Sequence, residues 1–155
     1  MAQYKTHARF NLFLALPLLI WGLVYFFRPD IEYVFVFTGA YFYGTLFMNP
    51  DLDLAHQIKM FSVRGFLTLP FRSYSKIFRH RGISHSIPWG TVTRVLWLMM
   101  ILIIVMFLLD YTISKKKFFQ FVSDYRLFFL YGFTGLVLAD FCHLILDHVP
   151  AKKRR

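Results

Sequence analysis

The sequence is poor in acidic residues and in cysteine. Eight Asp and Glu side chains stand against eighteen Lys and Arg, which gives a formal net charge of +10. The single cysteine, Cys142, lies inside an apolar run, so the chain has no intramolecular disulfide framework and Cys142 is expected to pack among apolar neighbours. The chain also lacks internal repeats and low-complexity linkers. At 155 residues it is predicted to form a single domain.

Apolar side chains dominate the composition. Hydrophobic residues make up 57% of the chain and aromatic residues 21%, with a mean hydropathy of +0.51. A soluble core of this size needs less apolar surface, so we expect lipid-facing spans of about 20 residues each. We predict an all-α polytopic membrane protein, a four-transmembrane-helix bundle with spans near residues 10–27, 33–48, 92–113 and 127–146. Gly39 and Gly44 are expected to allow close helix contact in the second span.

Residues 49–91, which connect the second and third predicted spans, form the long polar segment of the chain and are called the connection. Its part from Phe61 to Phe78 mixes Phe, Leu and Ile with Arg and Lys, as short amphipathic segments in a membrane interface do. We therefore expect this connection to lie against the membrane surface.

The basic residues are distributed between the apolar runs rather than along one polar helix. This pattern favours the positive-inside rule and contact with membrane lipids, and it argues against nucleic acid as a partner. With four spans, both termini and the connection 49–91 share one side of the membrane. When Arg94 is counted with the connection, that side holds thirteen of the eighteen Lys and Arg residues. We therefore predict an integral membrane protein with both termini in the cytoplasm.

The fourth span carries one polar stripe. Asp140, His143 and Asp147 fall within a sector of about 60° on a helix that is otherwise apolar. An ionisable group in the middle of a membrane helix costs about 2.5–3.5 kcal/mol on insertion scales, which makes such groups candidates for function. His143 and Asp147, spaced four apart, can offer two ligands to one ion. The alternative is a His–Asp hydrogen bond and a helix-end carboxylate that reaches water.

The sequence RHRGISHS, Arg79 to Ser86, is the most polar stretch of the connection. On a helix, His80 and His85 would point about 140° apart, so binding one ligand requires the backbone to turn at Gly82. The alternative is a basic loop near the membrane whose histidines form local hydrogen bonds. By the predicted topology, His7, Asp51 and Asp53 lie at the same cytoplasmic end as this segment. Imidazole and carboxylate ligands suit zinc, with iron or manganese as alternatives.

Three motifs carry a resemblance to a known family. They are NPDLDL (49–54), HRGISHS (80–86) and ADFCHLILD (139–147), preceded by His7. Together they resemble an uncharacterised family of predicted membrane metal-binding proteins. That family is similar to bacterial membrane-bound metal-dependent hydrolases, whose motifs read as a leading His, P-D-x-D, H-R-x-x-T-H-S and H-x-x-x-D. The resemblance covers nearly the whole chain and implies a bacterial inner (plasma) membrane. It implies that the metal ligands are His7, Asp51, His80, His85, His143 and Asp147.

This chain departs from the hydrolase motifs at two places. First, those proteins often have a histidine directly after P-D-x-D, where this chain has Leu54; its next histidine, His56, comes two residues later. Second, Ser84 stands where those proteins usually have threonine. The first departure leaves the number of bound divalent ions open between one and two. His56 and His148 are expected to lie at the interface.

A more distant similarity to zinc-dependent phospholipases C implies hydrolysis of a small-molecule or lipid phosphoester at the cytoplasmic membrane surface. Asp53 or Asp140, where they are not ligands, would orient or deprotonate the attacking water. Arg79 and Arg81 would bind the phosphate, although basic loop residues more often determine topology. The alternative is a metal-binding protein without catalysis: a metal transporter, a sensor, or a scaffold whose polar residues hydrogen-bond across helices.

Overall fold

The computed structural model describes residues 2–48, 62, 65–66, 68–77, 89–109 and 114–148, without the side chains of residues 2–5, 75, 147 and 148. These residues form six helices, which confirms the predicted all-α class for the described part of the chain. Helix α1 consists of Ala2–Phe10, a π-helical turn at Asn11–Ala15, and Leu16–Phe27. The others are α2 (Ile31–Phe47), α3 (Phe71–Ile77), α4 (Trp89–Leu108), α5 (Lys115–Asp124) and α6 (Arg126–His148).

Three of these helices contain stretches long and apolar enough to cross a membrane, namely Thr6–Phe27, Trp89–Leu108 and Arg126–Leu146. They overlap the first, third and fourth predicted spans. The predicted second span corresponds to α2, which has 17 residues and is therefore about 26 Å long. It is shorter than the roughly 20 residues that a membrane span usually needs.

A tight turn reverses the chain between α1 and α2. Arg28 adopts a left-handed conformation with φ 46° and ψ 49°, and its N–H donates to the Val24 carbonyl at 3.1 Å. Pro29 follows, and the Asp30 carbonyl accepts the N–H of Tyr33 at 3.0 Å as α2 begins. This reversal brings the end of α2 back toward the beginning of α1.

Small residues allow α2 and α6 to pack closely. Ala40 and Gly44 on α2, and Gly135 and Ala139 on α6, each stand four residues apart on one helix face. A Cβ atom at Gly44 would lie 3.0 Å from the Ala139 Cβ, so the close contact expected at Gly44 is confirmed. The expectation for Gly39 is wrong, because it is exposed and a Cβ atom there would meet nothing within 4 Å.

A buried cluster packs α3, which belongs to the connection 49–91, against α4. Phe71 and Tyr74 of α3 are fully buried and pack with Met48 against the first turns of α4. The Trp97 indole N–H donates to the Pro70 carbonyl at 2.9 Å, and the Tyr74 hydroxyl lies 2.9 Å from the Thr93 hydroxyl. The described part of the connection is therefore packed against the beginning of α4.

Candidate metal centre

Two histidines from opposite ends of the sequence meet inside the helix bundle. The Nδ1 atom of His7 on α1 lies 3.4 Å from the Nε2 atom of His143 on α6, and the ring planes stand at 80°. Both side chains are buried, with 7% and 2% of their surface exposed. The structure therefore brings together two of the six predicted metal ligands.

The distance between these two nitrogens suits a shared metal ion. Zinc binds imidazole nitrogens at about 2.0–2.1 Å in tetrahedral geometry, which separates two such nitrogens by about 3.3–3.4 Å. A hydrogen bond with an N–H donor has a usual donor–acceptor distance of about 2.7–3.2 Å, so 3.4 Å is long for a direct bond between the rings. The pair therefore has the separation expected of two ligands of a tetrahedral metal ion, and as a direct hydrogen bond between the rings it is long.

Asn11 fixes α1 against its neighbours one helical turn after His7. Its side chain is fully buried, and its Nδ2 atom donates to the Ala139 carbonyl at 3.1 Å and approaches the Thr45 hydroxyl at 3.5 Å. Its Oδ1 atom has no hydrogen-bond partner among the described residues. Asn11 begins the π-helical turn, and π-turns inside α-helices occur frequently at functional sites. The contacts of Asn11 tie α1 to α2 and α6 close to the histidine pair.

Asp140 lies one turn before His143 and forms a buried ion pair. Its Oδ2 atom accepts hydrogen bonds from the Thr91 hydroxyl and from Nη2 of Arg94, the latter at 2.5 Å. Its Oδ1 atom has no partner within the described part of the chain. Arg94 was counted on the side of the connection, and it does lie near the beginning of α4. Its side chain is only 1% exposed, because the guanidinium is paired with Asp140 inside the bundle.

The other predicted site residues have no described side chains. Asp147 belongs to α6 and lies four residues after His143, so its backbone position is on the same helix face, but its side chain is outside the description. The remaining predicted site residues belong to the connection and lie outside the described residues; they are Asp51, Asp53, Arg79, His80, Arg81 and His85. Among the residues that are described, no group of three or more His, Cys, Asp or Glu side chains could hold a metal ion.

Four polar residues near the histidine pair were not singled out as site residues from the sequence. They are Asn11, Thr45, Thr91 and Arg94, all buried. One sequence signal could have found Arg94: it is a single cation within an apolar span, and Asp140 is a single anion within another. Under the predicted topology both residues lie toward the cytoplasmic end of their spans. Because an unpaired charge within a membrane span is unfavourable, Arg94 and Asp140 are expected to form an ion pair.

The fold and the histidine pair define a helical protein with helices of membrane-spanning length and a pair of buried histidines. The chain belongs to the family described as "Uncharacterized metal-binding protein (DUF2227)", which matches residues 2–155. This confirms the resemblance to an uncharacterised metal-binding family. The chain is also similar to an uncharacterized protein of Aquifex aeolicus (strain VF5), with 30% identity over 141 residues, covering 80% of this chain and 96% of that protein. No solved structure matches.

Proposed function

We propose that this protein is an integral membrane metal-binding protein whose divalent ion is held between His7 and His143. The observation that carries the proposal is the 3.4 Å separation of two buried imidazole nitrogens, one from each end of the sequence. The metal-binding description of the family supports it. Zinc is the ion that best suits an imidazole and carboxylate donor set, and iron and manganese are alternatives.

In this proposal α2 is the fourth transmembrane span, together with α1, α4 and α6. Phe35 and Phe42 on α2 are exposed, which suits contact with lipid on the side away from α6. With the buried Arg94 set aside, twelve of the other seventeen basic residues still belong to the side that holds both termini and the connection 49–91. The positive-inside rule therefore continues to favour a cytoplasmic location for that side, in a bacterial inner (plasma) membrane.

The remaining ligands are expected to come from the connection and from the end of α6. Asp51, His80 and His85 would approach the histidine pair from the connection, and Asp147 would follow His143 by one turn of α6. Support comes from the positions of the helix ends: Arg94 joins Met48, at the end of α2, to the first turn of α4. The connection thus begins and ends near Asp140, one turn from His143. This set could hold one or two ions.

The activity that we propose is hydrolysis of a phosphoester, with a lipid headgroup at the cytoplasmic surface as the favoured substrate class. When bound, the ion would supply Lewis-acid activation of water and of the phosphoryl group. The chain's own contribution would be to place the reactants. Asp53, or Asp140 through its Oδ1 atom, would accept a hydrogen bond from the attacking water, and Arg79 and Arg81 would bind the phosphate oxygens.

A transporter, a sensor or a scaffold is the alternative to hydrolysis. A transporter is expected to carry polar ligands along several spans to form a path across the membrane. In the described spans, the buried polar side chains all lie at the end of the bundle that holds the histidine pair; they are His7, Asn11, Thr45, Thr91, Arg94, Asp140 and His143. This arrangement favours hydrolysis at one membrane surface over transport.

Metal content of the purified protein tests the binding proposal. Protein purified without chelators and analysed for zinc, iron and manganese should contain bound metal. His7→Ala and His143→Ala should each reduce the bound metal sharply, whereas His148→Ala, which alters another histidine of α6, should retain it. Protein without metal that also takes up none of the three added ions would refute the proposal.

Turnover of a panel of lipid phosphoesters tests the reaction. Metal-loaded wild-type protein should release phosphate or a phosphorylated headgroup, and both Asp51→Asn and His85→Ala should abolish the release. Activity that survives both substitutions would contradict the proposed site. If no lipid turns over while metal crosses the membrane of reconstituted vesicles, the transporter becomes the better conclusion.

A further inference from the structure

Helix α5 is short, exposed and rich in both lysine and phenylalanine. It lies between α4 and α6 in the sequence, next to the end of α6 that is opposite to His143, and it reads KKKFFQFVSD. Its ten residues make a helix about 15 Å long, which is too short to cross a membrane. Every residue of α5 is exposed, and Phe119 is 69% exposed. The helix therefore presents apolar surface that no other described part of the chain covers.

The apolar and the polar side chains of α5 lie on different sides of the helix. At about 100° per residue, its four apolar side chains fall within a sector of about 160°; they are Phe118, Phe119, Phe121 and Val122. The opposite side carries Lys116, Lys117, Gln120, Ser123 and Asp124. Lys115 falls within the apolar sector, but it begins the helix and its long side chain can extend to water. An aromatic face opposite a charged face is typical of a helix that lies in the plane of a membrane interface.

A bend at Tyr125 turns α5 away from the axis of α6. Tyr125 has φ −103° and ψ 19°, whereas an α-helical residue has ψ near −42°. The ring centroids of Phe121 and Phe129 lie 5.9 Å apart, although eight residues of a straight helix span about 12 Å. Tyr125 packs in the same corner, 4.9 Å from Phe121 and 5.7 Å from Phe128 between ring centroids. Thus α5 does not continue the line of α6 out of the membrane, and the corner leaves most of the apolar sector exposed.

The lysines at the beginning of α5 indicate the charge of the surface that it contacts. All three are exposed, and Asp124 is the one acidic residue of the helix. Under the predicted topology five of the eighteen basic residues lie on this side of the membrane, and three of those five are Lys115–Lys117. The positive-inside rule does not explain such a cluster. An anionic layer of lipid headgroups does, because it attracts basic residues beside a membrane. A second copy of the chain suits this helix less well, since it would bring the same three lysines and a net charge of +10.

We propose that α5 is an interfacial anchor that docks on an anionic lipid surface, with its phenylalanine side chains between the acyl chains and its lysines at the phosphate headgroups. Because Tyr125 alone separates α5 from α6, this docking fixes the depth at which α6 enters the membrane. The anchor rests on the membrane-spanning arrangement of α4 and α6. It does not depend on metal binding or on hydrolysis.

Spin labels placed along α5 test its position in the membrane. Each residue from Lys115 to Asp124 is replaced in turn by a labelled cysteine in a Cys142→Ala background, and the full-length protein is reconstituted in vesicles of phosphatidylcholine and phosphatidylglycerol. Collision rates of the label are measured with oxygen, which concentrates in lipid, and with a water-soluble nickel chelate. A label at Phe119 should favour oxygen and a label at Gln120 the nickel chelate. The ratio of the two rates should vary along α5 with the helical period of about 3.6 residues.

Replacing the lysines tests the charge of the lipid. Lys115→Gln/Lys116→Gln/Lys117→Gln should lower the ratio of oxygen to nickel collision rates at Phe119, and vesicles of phosphatidylcholine alone should lower it in the unsubstituted helix. High salt should have the same effect, because it screens charges at the surface. The control is Lys152→Gln/Lys153→Gln/Arg154→Gln, which removes the same charge from the other end of the chain and should leave the ratio unchanged.

Three results would overturn the inference. The first is a label at Phe119 that is open to the nickel chelate in every vesicle, because the apolar face then lies in water. The second is low access of both reagents to that label, because protein, such as a second copy of the chain, then covers the face. The third is a ratio that responds neither to the lipid nor to the lysine substitutions, because the headgroup charge then has no role. Protein that binds no metal would refute the proposed function and leave these label measurements unaffected.

Discussion

A Cβ atom at Gly135 would lie 2.6 Å from the carbonyl oxygen of Phe37, closer than real Cβ atoms approach. Because the obstacle is the backbone of α2, it cannot rotate aside as a side chain could. We therefore expect Gly135→Ala to push α2 and α6 apart and to lower the free energy of unfolding by about 1–3 kcal/mol, the usual range for an overpacked core. Denaturant unfolding in mild detergent would measure this loss.

Gly39→Ala is the control for that experiment. A Cβ atom at Gly39 meets nothing within 4 Å, so the same substitution on α2 should leave the unfolding free energy unchanged or raise it slightly. Equal losses for Gly135→Ala and Gly39→Ala would show that the close contact between α2 and α6 is not formed.

The amide of Asn11 should contribute to the packing of α1. Asn11→Ala removes the hydrogen bond to the Ala139 carbonyl and should lower the unfolding free energy by about 1 kcal/mol, as for other polar contacts between membrane helices. Asn11→Asp should cost more, because a carboxylate oxygen would face the carbonyl oxygen inside the bundle. Thr134→Ala is the control: its hydroxyl is exposed and bonds within its own helix, to the Leu130 carbonyl. A loss for Thr134→Ala as large as that for Asn11→Ala would exclude a specific role for the amide.

Zinc should stabilise the protein through the histidine pair. If the folded state alone binds the ion, free zinc at 100 times its Kd raises the free energy of unfolding by about 2.7 kcal/mol. Treatment with a chelator should remove this increment, and restoring zinc should return it. His7→Ala and His143→Ala should each lose most of the response in the thermal unfolding curve, while His148→Ala should keep it. A full response in both alanine variants would mean that zinc binds elsewhere.

The proposed topology can be tested by labelling from one side of the membrane. In a Cys142→Ala background, a cysteine introduced at Lys116, which is exposed on α5, should react only from the periplasmic side. A cysteine at Lys153 should react only after the membrane is opened. Labelling of both positions from the same side would rule out four spans with cytoplasmic termini.

The sequence was sufficient to predict the helical class and three long apolar helices. An apolar helix of this kind is visible in the sequence as an uninterrupted run of apolar residues. The sequence also predicted Gly44 as a contact residue, and Cys142 is buried as expected. The prediction failed at Gly39, which stands on the same helix as Gly44 but on an exposed face. Which face of α2 meets α6 depends on all the side chains of both helices, and composition alone does not specify it.

The candidate centre was predictable to a smaller extent. The sequence motifs identified His7 and His143 as candidate ligands. The two residues are 136 positions apart in the sequence, and that separation does not predict how far apart they lie in the folded protein. Arg94 is counted with the connection in the charge asymmetry, and the sequence does not predict that its side chain is buried. Its burial depends on a complementary charge, Asp140, which follows 46 residues later in the sequence. Long-range partners of this kind are determined by packing rather than by local pattern.

The π-helical turn at Asn11–Ala15 sets the angular phase of the chain's first nine helical residues, Ala2–Phe10, relative to the rest of α1. A π-turn accommodates an additional residue within an α-helix, and each residue of an α-helix advances the side-chain direction by about 100°. If the same residues formed regular α-helix throughout, His7 would be rotated by roughly that angle, away from His143. The histidine pair therefore depends on the π-helical turn of α1 as well as on the identity of its two side chains.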